Sequence, residues 1–122
     1  MSYLKTKRFL ARIVRSGSRK AELSVIVLSN ENELLSIFPF QAETSHTHYC
    51  DGLLLILSPT CTISDVKNLI DRFPDVEDLI HSPTYIQNQP ACGNRCRLYQ
   101  ISNIDWDDLS FTSESEVTLV VG

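Results

Sequence analysis

Apolar positions in this chain come in short runs separated by polar turn-formers, and their period changes from strand-like to helix-like after residue 60. Arg8 to Arg15 mixes Phe9, Ala11 and Ile13 with Leu10, Arg12 and Val14, and Ser-Gly-Ser-Arg-Lys follows as a turn. Ala21 to Leu28 sets Leu23, Val25 and Val27 against Glu22, Ser24 and Ile26, the alternation of a half-buried strand. After the turn Ser29-Asn30-Glu31-Asn32, Leu34 to Phe38 runs into Pro39, which suits a strand end or a sheet edge. Connections this short cannot make parallel crossovers, so the three segments predict an antiparallel meander. Gly52 to Leu57 is apolar at five consecutive positions and predicts a central strand covered on both faces.

Thr62 can cap a helix with Asp65 answering three residues on, the pattern of a capping box. Val66, Leu69, Ile70 and Phe73 then form one apolar helical face. Pro74 ends this helix and suits the start of a second, with Asp75, Glu77 and Asp78 in its first turn and Val76, Leu79 and Ile80 facing inward. Residues 82–95 are dense in turn formers and read as a long polar loop. Arg97 to Ile101 returns to the sheet, Asp105-Trp106-Asp107-Asp108 is a polar turn with one aromatic anchor, and Val117 to Val121 forms the last strand. The order predicts an α+β fold: a mostly antiparallel sheet of about five to six strands, with a helical pair at about 63–81 packed on one face. Residues 1–122 are expected to form a single domain.

Composition adds a bound. At 122 residues, 43% hydrophobic and 21% charged, the chain can build a core without metal or disulfide. No run approaches the ~18 apolar residues of a membrane span, so no membrane partner is expected. The amino end lacks the apolar core and cleavage site of a secretory signal; its Arg-rich, acid-free character leaves a transit peptide as the alternative to a cytoplasmic protein with reduced thiols.

Charge is segregated. Seven of eleven basic residues precede residue 21, while Asp105, Asp107, Asp108, Glu114 and Glu116 crowd the tail. One reading is a nucleic-acid contact through Lys7, Arg8, Arg12, Arg15, Arg19 and Lys20, with Tyr3 and Phe9 able to stack on bases. The other sets a basic first strand beside an acidic last strand, and the pI of 5.2 favours it.

Candidate chemistry gathers in two knots, His46 to Cys50 and Cys92 to Cys96. His46, His48 and Cys50 share one side of an extended chain, and Cys92 and Cys96 could complete a mixed nitrogen–sulfur site of the kind zinc prefers. Neither spacing matches the usual paired zinc signatures. A Cys92–Cys96 disulfide is the alternative across a tight turn, and inert packing thiols are the plainest reading. Cys50 beside His48, or Cys61, could in principle serve as thiol nucleophiles, but nothing local marks them. His81 is explained by a helix C-terminus. Acyl-transfer elbows, phosphate-binding loops and dinucleotide fingerprints are missing from the sequence.

The leading expectation is therefore a small non-catalytic binding domain whose partner is another protein, with a homodimer through a terminal edge strand as one form. The alternatives are a small zinc protein and a nucleic-acid contact.

Overall fold

The computed structural model describes residues 6–40 and 47–122. Three long strands follow the apolar runs: β1 (Thr6–Ser16), β2 (Arg19–Ser29) and β4 (Thr47–Leu57), with the shorter β3 (Leu34–Pro39), β5 (Arg97–Ser102) and β6 (Glu116–Val121). They form one six-stranded sheet in the order β3-β2-β1-β4-β5-β6. The meander β1-β2-β3 is antiparallel as its short turns require. β4 lies beside β1 and runs parallel to it, the one parallel pair in an otherwise antiparallel sheet. Leu53 to Leu57 are all at 0% exposure, so the apolar run is covered on both faces. The predicted fold class holds in its coarse form.

Helix α1 (Ile63–Arg72) begins with the expected box: Thr62 Oγ1 accepts from the Asp65 amide while Asp65 accepts from the Thr62 amide. Val66 and Leu69 are buried and Ile70 and Phe73 pack against the same core. Helix α2 (Val76–Ile80) is capped by Asp75, one residue after Pro74, rather than started by the proline itself. A third helix, α3 (Pro83–Gln87), occupies the start of the stretch read as a loop. Ser82 accepts from the Tyr85 amide and Pro83 sits in the first turn, so turn-forming residues here serve as helix starters. Tyr85, in α3, is buried and donates from its hydroxyl to the Gly17 carbonyl at 3.0 Å, tying the helix to the β1–β2 turn.

Two cores result. The helices cover one face over Leu53, Leu55, Leu57, Tyr99 and Ile101. The opposite face gathers Phe9, Ala11, Ile26, Leu28, Leu54, Ile56 and Leu98. It is closed because the sheet curls until the residues before β5 meet β3: Gly93 donates to the Leu34 carbonyl at 2.7 Å, Leu34 to Asn94 at 2.9 Å and Cys96 to Asn32 at 2.9 Å.

The strict alternation expected for β2 does not hold. Leu23 is 50% exposed, while Ser24 and Ile26 are buried at 3% and 0%. The cause is a kink running across three strands. Arg12 has no ladder partner on either side, and between Ala11 and Ile13 the β1–β4 register slips by one residue. Leu23 takes a φ of +42° opposite it, and Gly52 a φ of +149° on β4. Such a bulge reverses which face the following residues present. Thus Phe9 and Ala11 enter one core, Ile13 the other, and Val14 returns to the first.

Candidate functional site

The kink has a chemical consequence at Arg12. Alternation from Ala11 sets this side chain on the helix side of the sheet, and the bulge brings Ile13 to the same side beside it. Its guanidinium lies 4.2 Å from the centre of the Trp106 ring. Trp106 is held in turn by the loop after β5, where Asp105 accepts from the amides of Asp107 and Asp108, and by partial burial against the helical core. A cleft of about 520 Å³ opens here, lined by Arg12, Ile13, Lys20, Glu22, Leu23, Trp106, Asp107 and Leu109. Lys20 pairs with Glu22 at 3.4 Å. Among the described residues no carboxylate lies within ion-pair distance of Arg12. In sequence, Trp106 reads as the aromatic anchor of a polar turn and Arg12 as one member of a basic run. A lone tryptophan inside an acidic turn, in a chain whose bases lie at the other end, was the available signal.

The basic segment is not one patch. Arg15 is buried at 2% exposure, where its guanidinium meets Glu77 of α2 at 2.8 Å. Lys7 donates to Asn32 at 2.7 Å and Arg19 to the Ile37 carbonyl at 3.3 Å. Lys20 is taken up by Glu22, and Arg8 is half-buried on β1. Phe9 faces a core and stacks edge-on against His48 at 5.9 Å, so it offers no ring to an unpaired base. Tyr3 lies outside the described residues. The alternative, a first strand beside an acidic last strand, is corrected by the strand order: β4 and β5 separate β1 from β6. It is the acidic turn at Asp105–Asp108, through Trp106, that reaches β1.

The two cysteine-bearing knots are dispersed. His46 lies outside the described residues. His48 and Cys50 belong to β4 rather than a loop, with Cys50 in the core. Cys96 is buried just before β5, where register sets Arg97 against Leu57, at the far end of β4 from His48. Nine residues of extended chain, about 30 Å, separate those positions along β4. Cys92 is exposed and points its thiol at the Leu34 and Leu35 carbonyls, 3.7 and 3.5 Å away. Among the described residues no three His, Cys, Asp or Glu side chains gather as a metal site. All four cysteines are free thiols. Burial pushes the Cys50, Cys61 and Cys96 thiols up to about 11, the reverse of what a thiolate nucleophile or ligand needs. His81 caps α2 with its ring nitrogen 2.7 Å from the Glu77 carbonyl, the structural role expected of it.

The sheet ends differently on its two sides. At β3 the segment 93–96 bonds to one end and the Cys92 thiol to the carbonyls beside it. At β6 no described segment pairs with the outer edge. Val117 to Val121 contains no charge, glycine or proline, and Leu119 stands 40% exposed on it. No helix among the described residues is long and apolar enough to cross a membrane. Comparison with protein-family models, with curated proteins and with solved structures returns no match.

Proposed function

We propose that this chain is a non-catalytic interaction domain that engages another protein chain by strand addition at β6, with a second copy of itself as the simplest partner. The observation that carries the reading is the asymmetry of the sheet's edges. A row of unpaired backbone donors and acceptors is a template for pairing, and natural sheets usually blunt it with lysine, proline, a bulge or a covering segment. The 93–96 segment closes one end of the β3 edge, whereas β6, apart from Glu116 at its start and a bulge at Val120, is an uncovered run of β-branched and aliphatic residues. An antiparallel β6–β6 pair about a two-fold axis satisfies both edges at once. Burial, which pushes the Cys50, Cys61 and Cys96 thiols up to about 11, suits these three to packing rather than nucleophilic attack.

Leu119→Lys tests this. Its side chain is already partly exposed, so the monomer should fold with unchanged secondary structure while a charge is introduced on the pairing edge. Light scattering should show a wild-type dimer that the variant converts to monomer. A wild-type protein monomeric at all accessible concentrations removes the self-pairing form, and a dimer unaffected by the substitution removes β6 as its seam.

A further inference from the structure

We infer that the cleft between β1, β2 and the Trp106 turn is a binding site for a single carboxylate carried on an apolar body. This is independent of the β6 edge, which lies three strands from β1.

Three observations converge on it. First, Arg12 is organised but chemically unsatisfied. Its guanidinium carbon lies over the Trp106 ring at 4.2 Å, and no chain carboxylate among the described residues answers its N–H donors. A planar fork of donors held in place by an indole is matched by a carboxylate's two oxygens, and the stack limits the side-chain entropy that binding would otherwise cost.

Second, the walls beside that fork are apolar: Ile13, Leu23 and Leu109 line the same cleft. Leu23 is the informative one. It is half exposed and holds a φ of +42°, a conformation that glycine or asparagine would take at lower cost. Its side chain gains little from folding where it stands, and strained residues of this kind concentrate at ligand clamps. A leucine kept there serves an apolar surface that something else completes.

Third, charge in the cleft sets the ligand's valence. Lys20 is neutralised by Glu22 at 3.4 Å, and Asp107 adds a second carboxylate to the lining. With Arg12 the one cation lining the cleft that, among the described residues, has no carboxylate partner, a monoanion is accommodated and a phosphate dianion is opposed by Glu22 and Asp107. The carboxylate could belong to the C-terminus of a peptide ending in an apolar residue, or to a free aliphatic acid. Both present the same chemistry to Arg12.

Trp106 is the only tryptophan in the chain, so its fluorescence reports directly on the site. The full chain is titrated with N-acetyl-leucine, with N-acetyl-leucinamide, with octanoate and with inorganic phosphate. Saturable change with N-acetyl-leucine is expected, at least about tenfold weaker binding for the amide, and a similar loss for R12Q, since one charge-assisted fork is at stake. Tighter binding of N-acetyl-leucine than octanoate identifies a peptide terminus, and the reverse order a free acid. R12Q alters the indole's surroundings by itself, so affinities are also read from the amide shifts of Ile13, Lys20 and Leu109. Arg12 is exposed, and the same spectra establish that the variant is folded. The assignment is overturned if neither carboxylate saturates, if the amide binds as well as the acid, if phosphate binds more tightly, or if R12Q binds like the wild type.

Discussion

Gly52 occupies a position where only the lack of a side chain will serve. Its φ is +149°, and a Cβ built there would stand 2.6 Å from the Ile101 carbonyl oxygen on β5. The obstacle is backbone, not a side chain that could swing away. Gly52→Ala should therefore destabilise the fold by about 3 kcal/mol, through overpacking and backbone strain together. Urea unfolding of the variant against wild type measures it, and a loss within experimental error would show that β4 relaxes without disturbing β5. The same residue-scale logic separates Leu23 and Leu109, at φ of 42° and 51°, from the left-handed asparagines. Asn32 and Asn103 also have positive φ, at 66° and 57°, but asparagine tolerates it and both lie beside turns. Leucine does not, and both Leu23 and Leu109 line the same cleft.

At the scale of elements, local chemistry and packing agree best in α1. Its ten residues are fewer than an isolated helix needs in water, so packing of Val66 and Leu69 on the sheet supplies most of its stability. The capping box selects where it starts. Thr62→Ala removes the acceptor for the Asp65 amide and leaves the reciprocal bond to the Thr62 amide in place. The expected loss is about 1 kcal/mol, seen as a lower thermal midpoint with unchanged native circular dichroism. This helix was readable because one face, one cap and one breaker, Pro74, coincide within a short stretch. α3 was not, because Ser82 and Pro83 signal a turn and a helix start equally well. What decides between them is Tyr85, whose burial and bond to Gly17 depend on a strand far away in sequence. β2 failed in its facing for a related reason. Its alternation is genuine, but the kink at Leu23 exchanges the two faces partway along.

The whole molecule has an alkaline limit built into its cores. Burial raises the thiols of Cys50, Cys61 and Cys96 from 9.0 to about 11, with Asp65 adding to the rise at Cys61. Burial likewise raises the Tyr85 hydroxyl from 10.0 to about 12, against the opposing influence of Arg15. In each case the folded chain keeps its proton longer than the unfolded one. Stability is thus unaffected by these groups below pH 9.0 and falls as pH climbs through about 11. Denaturant midpoints measured across that window should decline, and the triple Cys→Ala variant should decline less steeply. Equal slopes would mean that the thiols are not the source. In native protein at neutral pH, Cys92 is the exposed thiol and should be the first labelled by a disulfide reagent.

Side-chain period and caps in the sequence suffice for the kind of most elements: strands from short apolar runs, α1 and α2 from a helical stripe between caps, and an α+β class from their order, with α3 left out. These are local properties, set by side-chain period and backbone propensity within a few residues. The sequence also located the cysteines and the charges, but not their company. Tertiary structure decided that β4 joins β1 in parallel, that β6 forms an open edge, and that Cys50 and Cys96 are buried apart. It decided too that Arg12, from a basic strand, stacks on Trp106 from an acidic turn nearly a hundred residues away. Such pairings depend on strand register and on a single bulge, and a one-residue shift in either reverses which side chains meet.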